Sequence, residues 1–155
     1  MVISSLVKVV GVDIGITTIN ICHFNKKMNL FQEVLLKSPK PLMPGAVTIE
    51  LCEYFKCLEN KKCIEFVGIS LPVSLHHGDR LVGECSSLSG WSDVPFADWL
   101  EVRLGTKVVL SNSKQCELLG TTWDKFSSSF EGKSFASVGV ARLAYEKFVR
   151  NVAPF

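Results

Sequence analysis

Apolar positions along this chain follow two rhythms, and the switch between them outlines the fold. Leu6 to Val12 is apolar apart from Lys8, as in a strand buried on both faces. Asp13-Ile14-Gly15-Ile16-Thr17 interrupts it. Thr18 to Phe24 and Leu30 to Leu36 supply two more strands, separated by the polar turn Asn25-Lys26-Lys27. Three strands joined by short turns predict an antiparallel meander. After a loop marked by Pro39, Pro41, Pro44 and Gly45, the period lengthens. Val47, Leu51, Tyr54, Phe55 and Leu58 recur at helical spacing, predicting an amphipathic helix from Ala46 to about Asn60.

The second half alternates strands with helices. Cys63 to Leu71 reads as a fourth strand, stopped by Pro72. His76-His77-Gly78-Asp79 reads as a hairpin turn with Arg80 to Glu84 returning. Asp93 is the expected cap of a short helix ending at Gly105, with Pro95 near its start. Lys107 to Ser111 is a fifth main strand, and Asn112 starts a helix to about Leu119. Gly120 to Lys133 is the least regular stretch. Beyond it Ala141, Tyr145, Phe148 and Val152 line one stripe of a last helix, which Ala136 to Val140 extend. A meander followed by parallel strands with helical crossovers predicts an α/β fold of the ribonuclease H-like (actin-like ATPase) kind. One mixed five-stranded sheet would carry helices on both faces.

Composition narrows the partners. At 155 residues and 47% hydrophobic, the chain suffices for one well-packed domain. Its 17 basic residues are scattered among 15 acidic ones, which argues against a nucleic-acid surface. No segment has the length of a membrane span or the pattern of a signal peptide, so a cytoplasmic setting is expected. The six cysteines form no C-x-x-C pair, and Cys22 and His23 point to opposite faces of their strand. They read as small core residues or incidental thiols rather than metal ligands. His76-His77, adjacent on a turn, read as surface. Trp99 reads as core, and Trp91 is a candidate for stacking against a ligand.

The chemistry concentrates between the first two strands, in Gly11-Val12-Asp13-Ile14-Gly15-Ile16-Thr17-Thr18. Gly15 permits a tight turn and close backbone approach. Successive N–H groups in such a turn cradle anions, and Thr17 and Thr18 add hydroxyl donors for phosphate oxygens. Asp13 repels phosphate directly, but suits Mg²⁺ or a magnesium-bound water beside it. An ordinary hairpin whose Asp and Thr satisfy its own turn fits the same residues.

Three stretches taken in order carry a family resemblance. Gly11, Asp13, Gly15 and Thr17 match a G-x-D-x-G-x-T loop. Gly68, Ile69 and Pro72 match a G-I-x-x-P strand end, and Gly90, Trp91, Val94 and Pro95 match G-W-x-x-V-P. From Val9 to about Gly120 the chain resembles the ROK family of sugar kinases (repressor, open reading frame, kinase), glucokinase-like members of the actin and hexokinase superfamily. The resemblance implies ATP and Mg²⁺ as cofactors, a hexose as substrate, and Asp13, Gly15, Thr17 and Thr18 at the nucleotide phosphates. It also implies Asp13 at the metal, and Gly90 and Asn112 at the sugar.

The departures are as informative. The family follows its sugar-binding Asn with an Asp that takes the proton from the attacking hydroxyl. Here the pair is Asn112-Ser113, and a serine hydroxyl is too weakly basic for that role. Ile16 replaces a second glycine of the loop, Thr18 a common Lys, and Val73 the glycine after the proline. Gly139, Ala141, Leu143 and Ala144 resemble the small-residue helix that ends family members. The chain therefore reads as a kinase N-terminal domain over 1–120, an irregular connection over 121–133, and a helix over 134–153 packing on the same domain, as if truncated or internally deleted. The expected function is a catalytically degenerate sugar-kinase-like domain. An active half completed by a partner chain or dimer mate is the first alternative. A ribonuclease H-like nuclease, with Asp79 as second carboxylate, is the other.

Overall fold

The computed structural model describes residues 7–25, 27–58, 64–73, 75–76, 80–83, 88, 90–121 and 135–148. Strands β1 (Val7–Ile14), β2 (Thr18–Asn25) and β3 (Leu30–Lys37) form the meander. Helix α1 (Pro44–Lys56) then leads to β4 (Phe66–Leu71). A two-stranded hairpin, β5 (Leu75–His76) and β6 (Leu81–Val82), precedes α2 (Phe96–Leu104), β7 (Lys107–Asn112) and α3 (Ser113–Thr121). Helix α4 (Phe135–Phe148) follows. The main sheet has five strands in the order β3-β2-β1-β4-β7. β1 and β2 pair antiparallel, as do β2 and β3, whereas β4 runs parallel to both β1 and β7.

The elements predicted from pattern appear in order, with several boundaries moved: α1 ends at Lys56 rather than near Asn60, β4 begins at Phe66 rather than Cys63, and the return strand is only Leu81–Val82. β1 continues two residues past Val12, because Asp13 and Ile14 still pair with Asn20 and Ile19 of β2. α1 begins at Pro44, where a residue without an N–H suits the first turn. α2 begins at Phe96, with Pro95 in the cap position and no side-chain cap. Asp93 is thus not the cap. It sits at φ 61, in the turn leading into the helix. Gly105 does end α2, in the left-handed conformation at φ 70. The segment 122–134, Trp123, Cys63, Cys85, His77 and Asp79 lie outside the described residues.

The alternation of each strand sorts the core into two layers. Val10, Val12, Ile14, Ile19, Ile21, Val67, Ile69, Leu71, Val108 and Leu110 form one face with Leu51 and Phe55 of α1 and Phe96 and Leu100 of α2. Val9, Cys22, Phe24, Phe66 and Val109 form the other with Val138, Ala141, Leu143 and Ala144 of α4. Cys22 and His23 go to opposite faces as expected. Cys22 Sγ lies 3.0 Å from Ser137 Oγ under α4, and His23 Nε2 lies 2.6 Å from the Tyr54 hydroxyl under α1. Lys8, the polar exception in β1, pairs with Glu65 at 2.5 Å.

Helix α4 sits in a slot cut by glycine. Gly11 of β1 and Gly68 of β4 are direct neighbours in the parallel ladder. A Cβ at Gly11 would lie 1.9 Å from the Ser137 carbonyl oxygen, and one at Gly68 would lie 2.2 Å from that of Val140. Helix backbone therefore rests directly on strand backbone, closer than any side chain permits. Gly139 does the same on the helix's other flank, where a Cβ would lie 1.7 Å from the Cys116 carbonyl oxygen of α3.

Candidate functional site

The parallel strands β1, β4 and β7 end together, and ligand sites of open α/β sheets lie at such carboxyl ends. Asp13 is level with Ser70 of β4, and Ser70 with Ser111 of β7. Alternation puts all three on the α4 side of the sheet, in a row spanning about 10 Å across two strand spacings. Ser70 is fully buried and its hydroxyl has no hydrogen-bond partner among the described residues. Asp13 is half-buried at the open end of that row.

The turn after Asp13 is held from outside. The Gly15 N–H donates to the Thr18 carbonyl at 2.9 Å. The Gly15 carbonyl accepts the Ser38 hydroxyl at 2.6 Å, and the Thr17 carbonyl accepts the Ser38 N–H at 3.0 Å. Gly15 is not in the left-handed region. Its lack of a side chain matters because a Cβ would press to 2.9 Å on the Thr18 carbonyl oxygen. Ile16 and Thr17 stand at the exposed tip, Ile16 with 65% of its surface open. Thr18 begins β2 and is half-buried.

Ser38 also starts the loop that carries the wall beyond the turn. The Trp91 indole N–H donates to the Leu42 carbonyl at 2.8 Å, and its ring meets Phe96 edge-on at 5.2 Å. Gly90 takes φ +85, and a Cβ there would lie 2.5 Å from Met43 Cε. Trp91 is completely buried, so its ring offers no open face to the ligand for which it was a candidate. Its ring is the wedge that joins the Gly90 loop to the start of α1. Trp99 is partly buried against the same core, as expected.

At the end of β7, Asn112 caps α3. Its Oδ1 accepts the Gln115 N–H at 2.8 Å, leaving its amide NH₂ outside that bond. Ser113 is the first residue of α3. Glu117 lies one turn along the helix and is exposed.

Sequence reasoning missed the residues that fix this edge. Ser38 looks like any loop serine, yet it holds both turn carbonyls. Arg80, read only as the start of a return strand, ties the hairpin down. It donates to Glu101 at 3.0 and 2.5 Å, to Asp98 at 2.5 Å and to the Val108 carbonyl at 2.8 Å. Burial opposes ionisation of Glu101, but the Arg80 hydrogen bond and the Val108 N–H outweigh it and hold its carboxyl below the usual range. Asp98, exposed on α2, is one of Arg80's partners. Among the described residues, no three His, Cys, Asp or Glu side chains converge as metal ligands would, and no helix is long and apolar enough to cross a membrane.

The donor set at the turn suits Mg²⁺, which takes one or two carboxylates and keeps waters and phosphate oxygens for its other positions. Asp13 is a carboxylate at this turn, with the Thr17 and Thr18 hydroxyls beside it in the chain.

Comparison with known proteins agrees with this architecture. The model of the ROK family matches residues 9–140. Over 116 residues the chain is 26% identical to a glucokinase of Thermotoga maritima, covering 75% of this chain and 37% of that protein. It superposes on a ROK hexokinase of Thermus thermophilus with TM-score 0.60 at 26% identity, over 73% of this chain and 37% of that one. A ROK glucokinase of Streptomyces griseus, solved with glucose and AMPPNP, shares the fold with TM-score 0.63 at 21% identity, over 73% of this chain and 35% of that one. The inorganic polyphosphate/ATP-glucomannokinase of Arthrobacter sp. strain KM gives TM-score 0.65 at 16% identity, over 95% of this chain and 72% of that one. The chain thus spans little more than a third of the glucokinases and hexokinase it matches.

Proposed function

The chain belongs to the ROK family, and from that premise we propose that it is a hexose- and nucleotide-binding domain of sugar-kinase type that does not itself complete phosphoryl transfer. In this reading Asp13, Gly15, Thr17 and Thr18 face the nucleotide phosphates. Gly90 and Asn112 face the sugar, Asn112 through its amide NH₂. When bound, Mg²⁺ would offset the charge of the phosphates, with Asp13 as its protein ligand. The single observation that carries the reading is Ser113. It follows the capping Asn112 at the start of α3, where the family's general base is a carboxylate. A serine at that point hydrogen-bonds a hydroxyl but does not accept its proton at neutral pH. Ile16 supports the same direction, since its side chain occupies the tip where backbone would meet phosphate.

Two measurements test this. Calorimetric titration with glucose and related hexoses, with and without ATP-Mg²⁺, should give saturable heats that Asn112→Ala weakens tenfold or more. A coupled assay with ATP or polyphosphate as donor should give no sugar phosphate. Measurable phosphorylation by the chain alone ends the claim of degeneracy, and absence of any hexose or nucleotide heat ends the claim of binding.

A further inference from the structure

The turn between β1 and β2 takes its shape from a residue just past the end of β3. The Gly15 N–H is spent inside the turn, on the Thr18 carbonyl at 2.9 Å. The Gly15 and Thr17 carbonyls both run to Ser38. Its hydroxyl donates to the first at 2.6 Å and its N–H to the second at 3.0 Å. The peptide bonds of this turn are trans, and in a trans peptide a carbonyl and the next residue's N–H point opposite ways. With both carbonyls turned to Ser38, the N–H groups of Ile16 and Thr18 are turned away from it.

Ser38 is a firm anchor. It is buried, and it follows directly on the β2–β3 ladder, in which Lys37 faces Thr18. Further along the same loop the Leu42 carbonyl holds the Trp91 indole N–H at 2.8 Å. The loop is thus tied on both sides of the anchor, and the fold itself sets the geometry of the turn. Donors aimed in advance bind an anion without the cost of ordering them. A turn peptide free to rotate would also present its carbonyl, which repels phosphate.

We propose that Ser38 is a positioning residue for a phosphate group at this turn. By holding the Gly15 and Thr17 carbonyls it aims the Ile16 and Thr18 N–H groups at the phosphate oxygens, and it touches no ligand itself. The inference rests on the phosphate-binding reading of the turn and adds to it which donors bind and what aims them. It also gives Gly15 a different part. Gly15 accepts the Ser38 hydroxyl, and its own N–H stays within the turn. The exposed Ile16 side chain crowds the approach, which makes the aim of the two donors matter more.

Titration of the isotope-labelled full chain with tripolyphosphate and Mg²⁺, followed by amide NMR, tests it without adenine or ribose contacts. In the wild-type chain the Ile16 and Thr18 amide signals should shift most, and saturably, and the already bonded Gly15 amide less. Ser38→Ala should weaken this binding about fivefold or more while the Trp91 indole signal stays in place. A merely structural loss would move that indole signal too. Ser38→Thr, which keeps the hydroxyl, should bind within about twofold of wild type. Should Ser38→Ala not fold, Ser38→Cys, near in size but a weak donor, reads the same loss. Absence of any saturable shift in the wild-type chain ends the phosphate reading of the turn and this inference with it. Binding that the Ala and Cys variants leave unchanged, that the Thr variant fails to restore, or that shifts Gly15 rather than Ile16 and Thr18 overturns the role of Ser38 alone.

Discussion

At the scale of single residues, a glycine of the loop motif turns out to serve packing. Gly11 stands in the loop motif, but its missing side chain makes room for the Ser137 carbonyl of α4. Gly68→Ala or Gly11→Ala should each cost about 3 kcal/mol, at the upper end of overpacking penalties, because backbone rather than a flexible side chain must yield. Denaturant titration reads this directly as a shifted midpoint. His23 gives a second residue-scale prediction. Burial under Tyr54 and α1 lowers its pKa from 6.5 to about 4, so the folded chain keeps it neutral. The unfolded chain binds a proton below about 6.5 and the folded chain only near 4. Stability should therefore fall as pH drops through that window, by on the order of 3 kcal/mol for this group. His23→Gln should flatten the slope between pH 6.5 and 5 in urea titrations at successive pH values.

At the scale of elements, pattern and period revealed most of the fold, because each strand and helix buries a regular stripe. Asp13 breaks an apolar run, so the pattern alone ends β1 at Val12. In the sheet its backbone still pairs on both sides, and only its side chain reaches the open end. The cap of α2 was misassigned because Asp93 has the right chemistry two residues too early for a helix that starts after Pro95. The Arg80 clamp had no sequence signal at all. Its partners Asp98, Glu101 and Val108 are distant in the chain and meet only once α2 lies against β7. Removing it should loosen what it holds. Val82 of the hairpin accepts from the Asp93 N–H and donates to the Val94 carbonyl, both at 2.9 Å. Arg80→Ala should therefore cost about 1 to 2 kcal/mol, a value tempered by partial solvent access. It should also raise amide exchange at Val82 and Asp93 more than in β1 or β4.

At the scale of the whole molecule, the site was legible as a set of motifs but not as a surface. Asp13, Asn112 and Ser113 could be placed at strand ends from sequence. Trp91 could not be told from a ligand-stacking ring until its indole was seen spent on Leu42. The layered core adds one prediction at this scale. Without α4, the sheet face carrying Val9, Cys22, Phe24 and Val109 would lose its cover. A chain ending before Phe135 should lose cooperative unfolding and expose apolar surface to a dye such as ANS, whereas Asn112→Ala should leave both unchanged.

The glycine slot beneath α4 bears on how mutational data for this chain would be interpreted. On the proposed reading, a selection for nucleotide binding should find Gly11 as intolerant as Asp13. The causes would differ, one a failure of folding and the other a loss of the proposed binding. Abundance would separate them: variants at Gly11 and Gly68 should vanish from the soluble fraction, while variants at Asp13 should accumulate there, folded but without nucleotide binding. Intolerance within the loop motif would thus report two unrelated pressures on neighbouring codons, and only one of them would concern the ligand proposed for the loop.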